Sequence, residues 1–181
     1  MSDLKKFSQE CKKRINKFNN QSKIFKKALE FFEISHKEKY TYNFNWLGVP
    51  VIQFPQDILL MQEIIYETKP NIIIETGVAR GGSLIMYSSL LSLIQKEFLI
   101  VGIDVDIRKH NRNKIKRHLF STNINLIQGD SIAESTIRKL ETVLKSSKIK
   151  KKKIMVCLDS NHTHDHVFQE LKKYCKFVSK N

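Results

Sequence analysis

The residues best equipped for chemistry stand close together late in the chain. The stretch LDSNHTHDH, Leu158 to His166, holds three histidines and two aspartates in nine residues. Imidazole titrates near neutral pH and ligates metals, and carboxylates hold hard cations. A general base, a metal site and a polar helix start are therefore all open. Three more acidic clusters share a common setting. Glu75-Thr76-Gly77, Asp104-Val105-Asp106 and Gly129-Asp130-Ser131 each close a short apolar run, as Asp159-Ser160-Asn161-His162 does. Core packing does not require an acid after every such run, so the four ends together point to a ligand crevice.

The runs themselves read as strands. NIIIET (71–76), FLIVGID (98–104), INLIQGD (124–130) and IMVCLD (154–159) are short, continuous and β-branched, the pattern of strands covered on both faces. Helical stripes separate them: Leu84, Tyr87, Leu91 and Ile94; a basic segment over 109–119; and Ile132, Ile137, Leu140 and Leu144. A last stripe follows through Val167, Leu171, Tyr174 and Val178. This alternation predicts an α/β fold, a Rossmann-like open parallel sheet, and right-handed crossovers put its strands in the order 3-2-1-4. Upstream, Gly48, Pro50 and Pro55 mark an irregular connection. A helix over 56–68 follows, with Ile58, Leu59, Gln62 and Ile65 on one side and Pro70 ending it. Near the N-terminus, Leu4, Phe7, Cys11, Ile15 and Phe18 form one amphipathic stripe, and Ile24, Phe25, Ala28, Leu29 and Phe32 a second. Asn19, Asn20, Gln21 and Ser22 interrupt them. The expected division is a basic helical extension over 1–45 and a Rossmann-like domain over 46–181.

In open α/β sheets the ligand lies beyond the carboxyl ends of the strands, where the strand order reverses. The first turn there is ETGVARGGS, whose glycines allow a sharp entry into the helix and a close backbone approach. The helix start near Gly82 and Ser83 offers N–H groups and positive potential to a carboxylate or phosphate. Its G-x-x-x-G-G spacing is neither the dinucleotide fingerprint nor a Walker loop. Asp104 can accept bonds from both ribose hydroxyls, and Asp130 can meet an adenine amino group. An adenosine with a carboxylate-bearing tail would use all of these, and S-adenosylmethionine is such a molecule.

With these residues in view, the chain resembles the cephalosporin hydroxylase-like and rhamnosyl O-methyltransferase family, which has the class I S-adenosylmethionine methyltransferase fold. The carriers are WLGVP, PQDILLMQEIIYETKPNIIIETGVARGGSLIMYSSLL, VGIDVDIRKHNR, IQGDSI and LDSNHTHDHVFQELKKY, from about Trp46 to Val178. The resemblance implies methyl transfer to a hydroxyl of a small-molecule or glycan acceptor: a lipid-linked or surface sugar, or a small natural product. It implies S-adenosylmethionine as cofactor and, in at least some members, magnesium. Carried over by position, Glu75, Gly77, Gly81, Gly82 and Ser83 match the cofactor loop, Asp104 the ribose acid, and Asp130 and Ser131 the adenine side. Asp159 matches the first metal carboxylate. His162 and His164 are the candidate bases, with loop orientation and substrate hydrogen bonding as their alternative role. Trp46 and Tyr42 are candidates for an acceptor wall or for the core. In the family a fifth strand adds two more acidic metal ligands, whereas this sequence ends at KFVSKN. The expectation is a C-terminally truncated homologue: an incomplete magnesium site, reduced or lost activity, and an open edge on the fourth strand that invites a homo-oligomer. A non-catalytic remnant serving as an interaction module is the alternative.

Other classes recede. The metallo-β-lactamase pattern H-x-H-x-D-H is missed by one residue, which argues against a dinuclear hydrolase. DSNH has no following Pro-Pro-aromatic stretch, which argues against methylation of nucleic-acid amino groups. The formal charge of +14 over 181 residues suits anionic partners, yet abundant Lys, Asn, Ile and Phe fit AT-rich coding, so no specific nucleic acid is expected. The N-terminal stripes suit core or partner packing first, and an anionic membrane surface second. The run KIKKKK (148–153) reads as a solvated loop. No CxxC pair occurs among Cys11, Cys157 and Cys175, and the start lacks an apolar signal core, so a reduced cytoplasm is the expected location.

Overall fold

The computed structural model describes residues 3–18 and 22–179, and the expected break at Asn19, Asn20 and Gln21 lies outside them. The chain divides into two compact units, 1–41 and 42–181. In the first, α1 (Asp3–Lys17) and α2 (Lys23–Lys37) are both amphipathic, and Ser22 caps α2 by accepting from the Phe25 N–H at 3.0 Å. Their apolar stripes form no core. Leu4, Phe7, Ile15, Phe18, Ile24, Leu29 and Phe32 are all exposed, and α1 buries no residue.

The second unit opens with a short hairpin. Its strands β1 (Phe44–Trp46) and β2 (Val49–Val51) turn through Leu47 and Gly48, both at positive φ. Trp46 belongs to the packing: its indole N–H donates to Ser89 Oγ at 2.9 Å and its ring lies against the core, while Tyr42 is exposed. Next come α3 (Pro55–Thr68), β3 (Ile72–Thr76), α4 (Gly82–Ile94), β4 (Leu99–Asp104), α5 (Lys109–Lys116), β5 (Ile124–Gln128), α6 (Glu134–Ser146), β6 (Ile154–Leu158) and α7 (His164–Tyr174). The four long strands make one parallel sheet in the order β5-β4-β3-β6, the expected 3-2-1-4.

Strand alternation sorts the core into two layers. Ile73 and Ile100 face the α4 side with Leu84, Tyr87 and Leu91. Ile72, Ile74, Val101 and Ile103 face the α6 side with Ile137, Leu140 and Tyr174. Every residue of β3 is buried, which explains its unbroken apolar run. Each such isoleucine contributes about 2–3 kcal/mol through burial.

Two helix faces are rotated from their expected positions. In α3 the covered residues are Ile58, Met61, Gln62 and Ile65, a clean three-four spacing, while Leu59 is 62% exposed. In α7 the covered face runs through His166, Val167, Glu170, Lys173 and Tyr174, leaving Leu171 and Val178 exposed. That rotation carries an imidazole and a carboxylate inward. Ser131 and Ser160 at the strand ends meet it through contacts to His166 and Glu170, beside the buried Tyr174. No helix among the described residues is long and apolar enough to cross a membrane.

Candidate functional site

The carboxyl ends of the four parallel strands open into three adjoining cavities. The first, of about 320 Å³, is lined by Gly77, Asp104, Val105, Asp130, Ser131, Ser160, Asn161 and His166. A small one, of about 50 Å³, lies at the start of α4, between Gln53, Arg80, Gly81, Gly82, Ser83 and Asp159. The third, of about 330 Å³, lies between Ile52, Arg80, Asp104, Asp106, Arg108 and Asn111. Gly77 joins the first two, and Asp104 joins the first and third. The groove thus gathers Gly77, Gly81, Gly82, Ser83, Asp104, Asp130, Ser131 and Asp159 from four separate strand ends.

The loop between β3 and α4 is held by the protein itself. Gly77 and Gly81 have φ near +90°, and Ala79 between them has φ 45°, a conformation costing a non-glycine residue about 1–2 kcal/mol. Asp104 holds this alternating backbone: its Oδ2 accepts from the Val78 and Ala79 N–H groups at 2.8 and 3.1 Å. Asn111 donates to the Ala79 carbonyl at 2.9 Å. A Cβ on Gly77 would land on the Asp159 carbonyl, one on Gly81 on Ile115, and one on Gly82 on the Pro50 carbonyl. The glycines therefore also make room for neighbouring chain. Asp104 Oδ1 also accepts from the Asp106 N–H at 3.0 Å, so three backbone N–H groups orient the carboxylate assigned from sequence to the ribose.

Glu75 lines none of these cavities. It is fully buried beneath α4, where Ser83 Oγ donates to Oε2 at 2.7 Å and Tyr87 OH to Oε1 at 2.9 Å. Burial pushes its carboxyl up to about 8, against the lowering effect of these two bonds, with Asp159 and Asp104 raising it further. Its contact with the groove passes through Ser83, at the first turn of α4.

The histidine-rich stretch separates into distinct environments. His162 is exposed on the loop, with Nε2 3.5 Å from Asp159 Oδ1. His164 opens α7 with its side chain 88% exposed, pairs with Asp165 at 2.9 Å, stacks on Phe168 and lines no cavity described above. Burial raises the Asp159 carboxyl, opposed by His162 and reinforced by Glu170. Among the described residues no three His, Cys, Asp or Glu side chains come together as a metal-ligand group. Of the residues lining the small cavity, Asp159 is the acid that would hold magnesium, an ion that keeps several waters and is bound through one or two carboxylates.

His166 and Glu170 were not singled out by the sequence. Both are covered, and His166 lines the first cavity. The available signal was the i, i+4, i+8 spacing of His166, Glu170 and Tyr174, which places three polar-tipped side chains on one helical face. Gln53 was missed as well: its Oε1 is buried without a partner among the described residues, beside the start of α4.

Residues 38–181 match the family model described as Rhamnosyl O-methyltransferase/CmcI. A rhamnosyl O-methyltransferase of Mycobacterium leprae (strain TN) is 25% identical over 130 residues, 70% of this chain and 52% of that protein. The chain spans about half the length of the curated relatives it matches. Among solved structures, one titled "cmcI-D160 Mg-SAM" aligns with TM-score 0.53 at 20% identity, over 77% of this chain and 54% of that one. Apo CalS11, titled a TDP-rhamnose 3'-O-methyltransferase of calicheamicin biosynthesis, aligns with TM-score 0.52 at 20% identity, over 69% and 58%. The fold is that of the class I methyltransferases. The β3–α4 loop, the acids at the strand ends and the family match over 38–181 lead to one conclusion: the chain belongs to the rhamnosyl O-methyltransferase/CmcI family.

Proposed function

We propose that this chain is an S-adenosylmethionine-dependent O-methyltransferase acting on a sugar hydroxyl, rhamnose or a related deoxysugar. The observation that carries the reading is the pairing of two unlike cavities around Gly77. The larger has an acid, Asp104, at one strand end and a polar edge, Asp130, Ser131 and His166, from others; that suits a nucleoside. The smaller combines the free N–H groups of the α4 start with two oxygens, the unpartnered Gln53 Oε1 and the Asp159 carboxylate. That suits a group carrying both a carboxylate and an ammonium, such as the methionine end. The names of the relatives support a sugar acceptor.

Bound here, S-adenosylmethionine supplies an electrophilic methyl group on a sulfonium. The protein's part is to hold the acceptor oxygen in line and to take its proton. His162 is the base, with Asp159 orienting its ring; His164 faces away with Asp165 and has no part in the chemistry. Glu75 acts through Ser83, fixing the first turn of α4. The test is calorimetry with S-adenosylmethionine and S-adenosylhomocysteine, followed by radiolabelled methyl transfer to rhamnosides. Micromolar binding is expected, with His162→Ala lowering turnover and leaving cofactor affinity unchanged. A folded protein that binds neither compound would refute the proposal.

A further inference from the structure

A polar chain runs behind the wall of the larger cavity. Glu170 is fully buried in α7, and its Oε2 has no hydrogen-bond partner among the described residues. An unpaired buried oxygen costs about 1–3 kcal/mol, so packing alone would favour an apolar residue at this position. Its other oxygen sets a direction. Ser160 Oγ donates to Glu170 Oε1 at 2.7 Å, which leaves Ser160 only lone pairs to offer His166 Nε2 at 3.2 Å. With Ser160 Oγ and Glu170 Oε1 both offering lone pairs to it, this surrounding favours the tautomer with the hydrogen on Nε2. The same nitrogen lies 3.5 Å from Glu170 Oε1 and 3.0 Å from Ser131 Oγ. With one hydrogen to give, Nε2 directs it to the nearer Ser131 Oγ, and the Ser131 hydroxyl hydrogen is left for another acceptor. Tyr174 OH, donating to the Ser131 carbonyl at 2.9 Å, fixes the backbone beneath it. Ser131, Ser160 and His166 all line the cavity.

We propose that His166, held by Ser160 and Glu170, is a positioning residue that locks the Ser131 hydroxyl as a donor into the cavity, where it reads N1 of adenine. This rests on the S-adenosylmethionine reading above. Adenine N1 accepts a hydrogen bond. In hypoxanthine N1 carries a hydrogen, so a locked donor meets a second donor, and the cavity rejects that base. A serine freed from His166 would rotate to suit either ring.

The experiment measures the affinities of S-adenosylhomocysteine and S-inosylhomocysteine by calorimetry for the wild type, His166→Ala, His166→Gln and Ser131→Ala. The wild type should prefer the adenosyl compound at least tenfold. His166→Ala should bring that preference within about threefold, corresponding to one lost hydrogen bond. His166→Gln, whose amide N–H reaches the Nε2 position, should restore much of it. Ser131→Ala should abolish it without disturbing α7. A folded His166→Ala protein with the wild-type preference overturns the proposal. If that variant does not fold, an unchanged preference in Ser131→Ala overturns it equally. A wild type that binds the adenosyl compound without discrimination sinks this inference alone, whereas one that binds neither compound sinks the cofactor reading and this inference with it.

Discussion

Replacing Glu75 by glutamine isolates a carboxyl that the fold buries completely beneath α4. In the native chain its pKa is raised from 4.5 to about 8, chiefly because burial penalises the charged form. The native state thus holds a proton that the unfolded chain releases above about pH 4.5. The group's contribution to stability is fully present below that value and is lost as pH rises toward 8. At about 1.4 kcal/mol per pH unit, wild-type stability should fall by about 4 kcal/mol through this group between pH 5 and 8. Glutamine keeps the shape and one acceptor oxygen but has no proton to release. It forfeits part of the bonds from Ser83 and Tyr87, a fixed loss of about 1 kcal/mol at every pH. The assay is urea denaturation of both proteins from about pH 5 to pH 9. All other titrating groups are shared, so the difference between the curves reports Glu75. The variant should be slightly the less stable near pH 5 and clearly the more stable above pH 8. Two parallel stability profiles would refute the argument that this carboxyl is held protonated by burial.

Gly77→Ala combines a φ near +90° with a Cβ placed on the Asp159 carbonyl; a loss of about 2–5 kcal/mol is expected in thermal or urea unfolding, and a loss under 1 kcal/mol would show that the two strand ends are not in contact. Burial, reinforced by Glu75, pushes the Cys157 thiol up to about 12, so thiol reagents should label this half-buried residue far more slowly than exposed Cys175 in the native protein; equal rates for the two would contradict this. The rotated face of α3 predicts that Ile65→Ala costs about 2–5 kcal/mol whereas Leu59→Lys stays within about 0.5 kcal/mol, as equilibrium denaturation would measure. Comparable losses at both positions would restore the stripe read from sequence.

Much of the fold was legible because its signals are local and repeated. Unbroken β-branched runs can be buried only in a parallel sheet covered on both faces, and the handedness of the crossovers then fixed the order β5-β4-β3-β6. The acids at the strand ends were legible for the same reason: residue type and position along the chain suffice to place them at one edge. What each acid touches was not legible. Asp104 is held by the N–H groups of Val78, Ala79 and Asp106, and Glu75 lies under α4, because partners on other elements decide where a carboxylate turns. Hydrophobic periodicity assigned Leu59 and Leu171 to the core, since a helical stripe read from sequence has a width but no fixed edge. In α7 that edge meets Ser131 and Ser160, through contacts to His166 and Glu170. The sequence by itself determined the sheet, the loop and the crowding of ligand-type residues at one edge. Only the tertiary structure decided that, of three closely spaced histidines, one meets Asp159 from the loop, one pairs with Asp165 in solvent and one lines the cavity, because His162 precedes α7 and the helical turn of 100° per residue sends His164 and His166 to different faces.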